Sequence, residues 1–98
     1  MLFMVRMDVR VPHDIDPARF EALKATEKAR AEELQRLGKW RHLWRIAGQY
    51  ANISIFDVAD AGELHDLMMS LPLFPFMTTE VTALCQHPSA ISAQPVTR

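Results

Sequence analysis

Glu27 stands where a helical pattern asks for a leucine. Along 16–38, DPARFEALKATEKARAEELQRLG, residues Phe20, Leu23, Leu34 and Leu37 recur at seven- and three-residue steps, the spacing of a core-facing stripe. Glu27 lies midway between Phe20 and Leu34. Seven residues at about 100° each return within about 20° of the starting direction, so the carboxylate belongs to the stripe. Burial disfavours the charged form and lifts such a pKa toward the pH of a cell. A glutamate tuned that way can take a proton from carbon and return it elsewhere. The same spacing also fits two plainer arrangements. A buried arginine such as Arg6 or Arg45 can neutralise the group, or it can sit at the stripe's edge in water. Lys24 and Lys28 flank it on a face that is solvated by default. If a pocket opens there, Lys28 can hold a substrate carboxylate as a point charge.

Further chemistry is poorly represented. His13, His42, His65 and His87 are scattered, with no pair at the i, i+4 spacing that sets two metal ligands together on a helix, so no metal site is expected. The chain carries no P-loop, GxGxxG, GxSxG or CxxC pattern, which leaves acid–base work by side chains and no cofactor. His13 is either an ordinary loop histidine or a group near a helix N-terminus that meets an anionic ligand. Cys85 reads as a small apolar strand residue facing a core rather than a nucleophile.

The 98 residues suit one domain with a modest core, placed at 1–87, with a tail at 88–98 that is either an inter-subunit arm or unstructured. A net charge of −1 offers no basic field for nucleic acid. One cysteine excludes an internal disulfide framework and agrees with a reducing cytoplasm. No apolar run approaches the roughly 20 residues of a membrane span. The opening MLFMVRMDVR has charges within its apolar stretch and no cleavage-like site, unlike a signal peptide.

The elements that must position Glu27 follow from periodicity. Phe3, Val5, Met7, Val9 and Val11 alternate with Met4, Arg6, Asp8 and Arg10, which predicts a strand with one apolar and one mixed face. Asp16 caps the long helix, Pro17 takes its first position and Gly38 supplies a left-handed stop. Leu43–Ala47 and Tyr50–Val58 read as a hairpin around Gly48 and Gln49. On its second strand Tyr50, Asn52, Ser54 and Phe56 share one face, which is either partly solvated or a pocket wall bearing a phenol and an amide. Asp60 and Glu63 head a second helix whose buried stripe is Leu64, Leu67, Met68 and Leu71. The connection LPLFPF is oily enough to cover a pocket mouth or a neighbouring subunit. Met77–Gln86 reads as a final strand.

The order β-α-β-β-α-β predicts an α+β, ferredoxin-like fold, a four-stranded antiparallel sheet with two helices on one face. Met4 and further bulky groups make the second face apolar, which predicts a homo-oligomer joined through that face or the oily loop.

Four blocks, MLFMVRMDVRVPHD, ATEKARAEELQRLGKW, HLWRIAGQYANISIFDV and LHDLMMSLPLFPFMTTEVTALCQHPS, together resemble the muconolactone isomerase family from Met1 to about Ser89. The resemblance implies a ferredoxin-like subunit in a ring-like decamer. It further implies a cofactor-independent step of the β-ketoadipate pathway of aromatic breakdown, in which muconolactone becomes 3-oxoadipate enol-lactone. It raises Glu27 to the proton shuttle and carries over its neighbour Lys28. Tyr50 and Asn52 become candidates for the lactone carbonyl, and Lys28, Arg19 or His13 for the acetate arm. Trp40, Trp44 and Phe76 are candidate apolar walls. The competing readings are a dehalogenating or methyl-lactone-converting isomerase on the same scaffold, a non-catalytic ferredoxin-like binding module, and a cofactor-free monooxygenase of similar architecture.

Overall fold

The computed structural model describes residues 1–91. Four strands, β1 (Leu2–Val9), β2 (Trp40–Arg45), β3 (Ala51–Asp57) and β4 (Met77–Leu84), form one antiparallel sheet in the order β2-β3-β1-β4. Helices α1 (Pro17–Arg36) and α2 (Ala61–Met69) sit where the ferredoxin-like order requires them. The cross-strand register puts Phe3, Val5 and Met7 of β1 beside Phe56, Ser54 and Asn52 of β3. This face meets Ala31 and Leu34 of α1, Leu64, Leu67 and Met68 of α2, and Leu71, so both helices cover one side. Burying each large apolar side chain there contributes about 1.5–3 kcal/mol relative to leaving it exposed.

The long helix starts as expected: the Asp16 side chain accepts from the Arg19 N–H at 3.1 Å, with Pro17 in the first turn. It ends one residue earlier than the stripe suggests. Gly38 takes φ +78°, its N–H bonds to the Gln35 carbonyl, and the Lys39 N–H reaches back to Leu34. That paired closure turns Leu37 out of the helix, and it is 62 % exposed rather than part of the stripe. In α2, Asp60 accepts from the Glu63 N–H at 2.8 Å, while the Glu63 carboxylate accepts from Ala59 at 2.7 Å, one residue further back than in a simple capping box.

Strand limits differ from periodicity for reasons of pairing. β1 ends at Val9, and Val11 is exposed before Pro12. β2 begins at Trp40, not Leu43, because the indole is buried against Phe56 with ring centroids 4.8 Å apart. A bulge between Trp40 and His42 absorbs the extra residue. β4 stops at Leu84, which pairs with Leu2, the first residue of β1. Beyond it no partner strand remains, so Cys85 is exposed and not a core residue.

The opposite sheet face is open. It carries Leu2, Met4, Ile53 and Ile55, all half-buried, and the stacked rings of His42 and Trp44, 4.8 Å apart and 6° from parallel. Trp44 is 55 % exposed on this side, away from the helices, so it is no wall of a pocket between helix and sheet. No helix among the described residues is long and apolar enough to cross a membrane. The tail expected at 88–98 lies outside the described residues from position 92 onward.

Candidate active site

Pro72 prevents α2 from continuing, and the chain turns through a short 3-10 segment, Phe74–Phe76, before β4. Leu71 and Leu73 are buried, and Phe74 and Met77 pack on the core, so the oily connection folds inward over α1. Between α1, this connection and the ends of β2 and β3 lies a cavity of about 500 Å³. Glu27, Lys28, Tyr50 and Asn52 all line it, as does Trp40. The hairpin thus brings Tyr50 and Asn52 to the same cavity as Glu27. Asn52 pairs with Met7, whose side chain is buried in the core, so the amide stands on the helix side of the sheet.

Glu27 is half-buried, two turns from Phe20 and two from Leu34, with buried Ala31 one turn on. Its Oε1 accepts a hydrogen bond from the Leu73 backbone N–H at 3.0 Å. Among the described residues it forms no ion pair. Arg6 is committed to Asp8 at 2.9 Å and to Gln49 on the open sheet face. Arg45 lines the cavity but lies over the Tyr50 ring, 5.4 Å from its centroid. Neither arginine therefore neutralises this carboxylate. Burial pushes its pKa above the ordinary glutamate value, and the Leu73 N–H pulls weakly the other way. One oxygen is held, and among the described residues the second has no protein donor, an arrangement open to accepting a proton.

Two polar side chains share the cavity with this carboxylate. Tyr50 follows the turn at Gly48 and is fixed by its own carbonyl, which accepts from the Val9 N–H at 3.0 Å. Asn52 accepts from the Ser54 hydroxyl at 2.7 Å through its side-chain oxygen. Lys28 is exposed at the rim and forms no ion pair among the described residues, whereas Lys24, also at the rim, is held by Glu21 at 2.8 Å and lies over Phe20. A free ammonium beside an apolar hollow suits a small carboxylate.

Not every expected residue gathers here. Arg19 and His13 are exposed near the start of α1 and do not line the cavity. Phe76 makes an edge-on contact with Phe20, centroids 6.2 Å apart, and supports the helix rather than the cavity wall. Sequence reasoning missed the Leu73 N–H, because a backbone donor leaves no trace in residue type. It also missed Arg45 as a lining group, although its position opposite Asn52 follows once the hairpin register is known. The Trp40 indole N–H is buried with no acceptor among the described residues, which costs about 1–3 kcal/mol. Among the described residues no three histidine, cysteine, aspartate or glutamate side chains converge as metal ligands would.

Known proteins share this fold and much of this sequence. Residues 1–90 match the family model described as muconolactone delta-isomerase. The muconolactone delta-isomerase of Pseudomonas aeruginosa is 57 % identical over 93 residues, covering 95 % of this chain and 97 % of that protein. That of Acinetobacter baylyi is 55 % identical over 91 residues, covering 93 % and 95 %. A crystal structure of muconolactone isomerase at 3.3 Å resolution superposes with a TM-score of 0.88 at 60 % identity, covering 93 % of this chain and 95 % of that one. With its fold, nearly its whole length and more than half its residues shared with these enzymes, the chain belongs to the muconolactone delta-isomerase family.

Proposed function

We propose that the protein isomerises muconolactone to 3-oxoadipate enol-lactone by an allylic proton shift carried by Glu27. The observation that carries this is the half-buried Glu27 carboxylate, held through one oxygen by Leu73 on the wall of a cavity that also holds Tyr50 and Asn52. The unheld oxygen removes the proton from the ring carbon bearing the acetate arm. The electron pair left behind delocalises through the ring double bond onto the lactone carbonyl, giving a dienolate. Tyr50 O–H and the Asn52 amide N–H donate to that oxygen where charge collects, in a hollow walled by Trp40, Leu73 and Met77. The protonated Glu27 then returns the proton to the carbon next to the carbonyl. The double bond has moved one position, no atom is gained or lost, and the carboxylate is regenerated. A base whose pKa is raised by burial narrows the gap to a carbon acid, which favours the first transfer.

Lys28 at the rim is the partner for the acetate arm, and Arg19 and His13, which do not line the cavity, can join it only if an assembly brings them near. The open, apolar sheet face supports self-association, and the family resemblance supports a decamer. A cytoplasmic place in the β-ketoadipate pathway follows from the same reading.

The test is turnover of plain, methyl- and chloro-substituted muconolactones by the purified chain, followed by ultraviolet absorbance and proton NMR. Conversion of plain muconolactone to the enol-lactone supports the reading. Chloride release in preference to isomerisation assigns a dehalogenase on the same scaffold. Binding without turnover assigns a non-catalytic module, and oxygen uptake assigns a monooxygenase.

A further inference from the structure

Ser54 is the one polar side chain in the buried core among the described residues, fully sealed at 0 % exposure, and nothing in the proton shift uses it directly. Its neighbours in register are Val5 on β1 and Leu43 on β2, both without a side-chain polar atom. Two residues along its own strand stands Asn52, on the same face because side chains alternate. The Ser54 hydroxyl donates to Asn52 Oδ1 at 2.7 Å. A carboxamide has one accepting end and one donating end, and they differ only by a half-turn. Because Oδ1 is engaged by Ser54, the Asn52 N–H2 group is the end left over. Among the described residues it has no protein partner, and it is not sealed from solvent. The lining position of Asn52 therefore presents a donor to the cavity.

We propose that Ser54 is a positioning residue: its buried hydroxyl holds the Asn52 amide with the donating end toward the substrate carbonyl. This rests on the lactone-binding reading above and deepens it. Without Ser54 the amide can turn its oxygen to the cavity, where it would oppose a developing enolate instead of stabilising it. A hydroxyl fully buried beside Val5 and two residues from buried Phe56 is otherwise a poor choice, since alanine fits there with no polar atom to satisfy.

The experiment is a double-mutant cycle of Ser54→Ala and Asn52→Ala, read by kcat and KM for muconolactone and by affinity for its saturated lactone, which binds but has no double bond to move. Ser54→Ala is expected to lower kcat about ten-fold with KM within about two-fold, and Asn52→Ala about a hundred-fold. In the Asn52→Ala background, Ser54→Ala is expected to change neither kcat nor affinity further. Ser54→Cys fills the same space with a weak donor and is expected to show the same loss, which separates the hydroxyl from its volume. Additive losses, or a Ser54→Ala enzyme with wild-type kcat and reduced thermal stability only, overturn the proposal. If the wild type binds the saturated lactone without isomerising muconolactone, the base reading fails. The affinity cycle still decides on Ser54, non-additivity supporting its role and additivity removing it.

Discussion

The backbone N–H of Leu73 donates to Glu27 Oε1 at 3.0 Å, joining the connection after α2 to the middle of α1 across 46 residues of chain. This bond orients the Glu27 carboxylate, and it comes from a residue whose own side chain is buried. Leu71 and Leu73 anchor the turn, and the turn presents its amide to the carboxylate. Packing in the core thereby sets the place of a carboxylate on the cavity wall.

Replacing Glu27 with glutamine removes the base while its side-chain oxygen still accepts from Leu73. Turnover is expected to fall by about 10²–10⁴-fold, the range for losing a positioned acid–base group. The variant is expected to stay folded, with a melting temperature equal to or above that of the wild type at neutral pH. Turnover within a factor of about three of wild type in a steady-state assay would remove Glu27 from the mechanism.

The raised pKa of Glu27 sets two pH dependences of definite sign. The base must be ionised, so kcat/KM is expected to fall as pH drops through an apparent pKa above the ordinary glutamate value of 4.5. Stability runs the opposite way. A carboxyl whose folded pKa exceeds its unfolded one contributes fully below the unfolded value, and the contribution is lost as pH rises through the folded value. Glu27→Gln should therefore flatten this part of the stability profile. A pH–rate profile and thermal unfolding at matched pH values check both limbs.

Lys28 stands at the cavity rim without an ion-pair partner among the described residues. Lys28→Ala is expected to raise KM about ten-fold with kcat little changed, the signature of lost uniform binding. A lactone lacking the acetate arm should be indifferent to the substitution. Equal effects on both substrates would show that Lys28 shapes the cavity instead of gripping a carboxylate.

The open face built from Met4, Ile53, Ile55 and Trp44 is the proposed contact between copies. Ile55→Lys places a charge in its centre and is expected to weaken self-association at least about 100-fold, with far-UV circular dichroism unchanged. Sedimentation velocity reads this directly. An unaltered assembly would move the contact to another surface.

Periodicity carried most of the fold. The β1 alternation, the Asp16–Pro17 start and Gly38 stop of α1, and the Leu64, Leu67 and Met68 stripe of α2 are each local, and each is present in the structure, whereas Leu71 is buried beyond the end of α2 at Met69. Boundaries were less legible where a neighbour decides them. Trp40 enters β2 because Phe56 receives it, and Cys85 leaves β4 because β1 has run out of residues. Leu37 fits the stripe by spacing, yet the closure at Gly38 turns it to solvent.

For the site, the chain by itself determined that a carboxylate would interrupt the apolar side of α1, since helical geometry places position 27 between positions 20 and 34 whatever surrounds it. It also determined that Asn52 and Ser54 would share a face, since a strand alternates, whereas Tyr50, expected in the same strand, lies one residue before β3 and joins the cavity from the turn. Only the tertiary structure decided that this face looks toward α1 rather than away, because register between strands depends on long-range pairing. It alone decided that Glu27 meets a backbone amide and not an arginine, because the donor at Leu73 exists only once a proline-broken connection has folded back over the helix. The residue types supplied a carboxylate, a phenol and an amide, and the packing of three distant segments made them neighbours of one cavity.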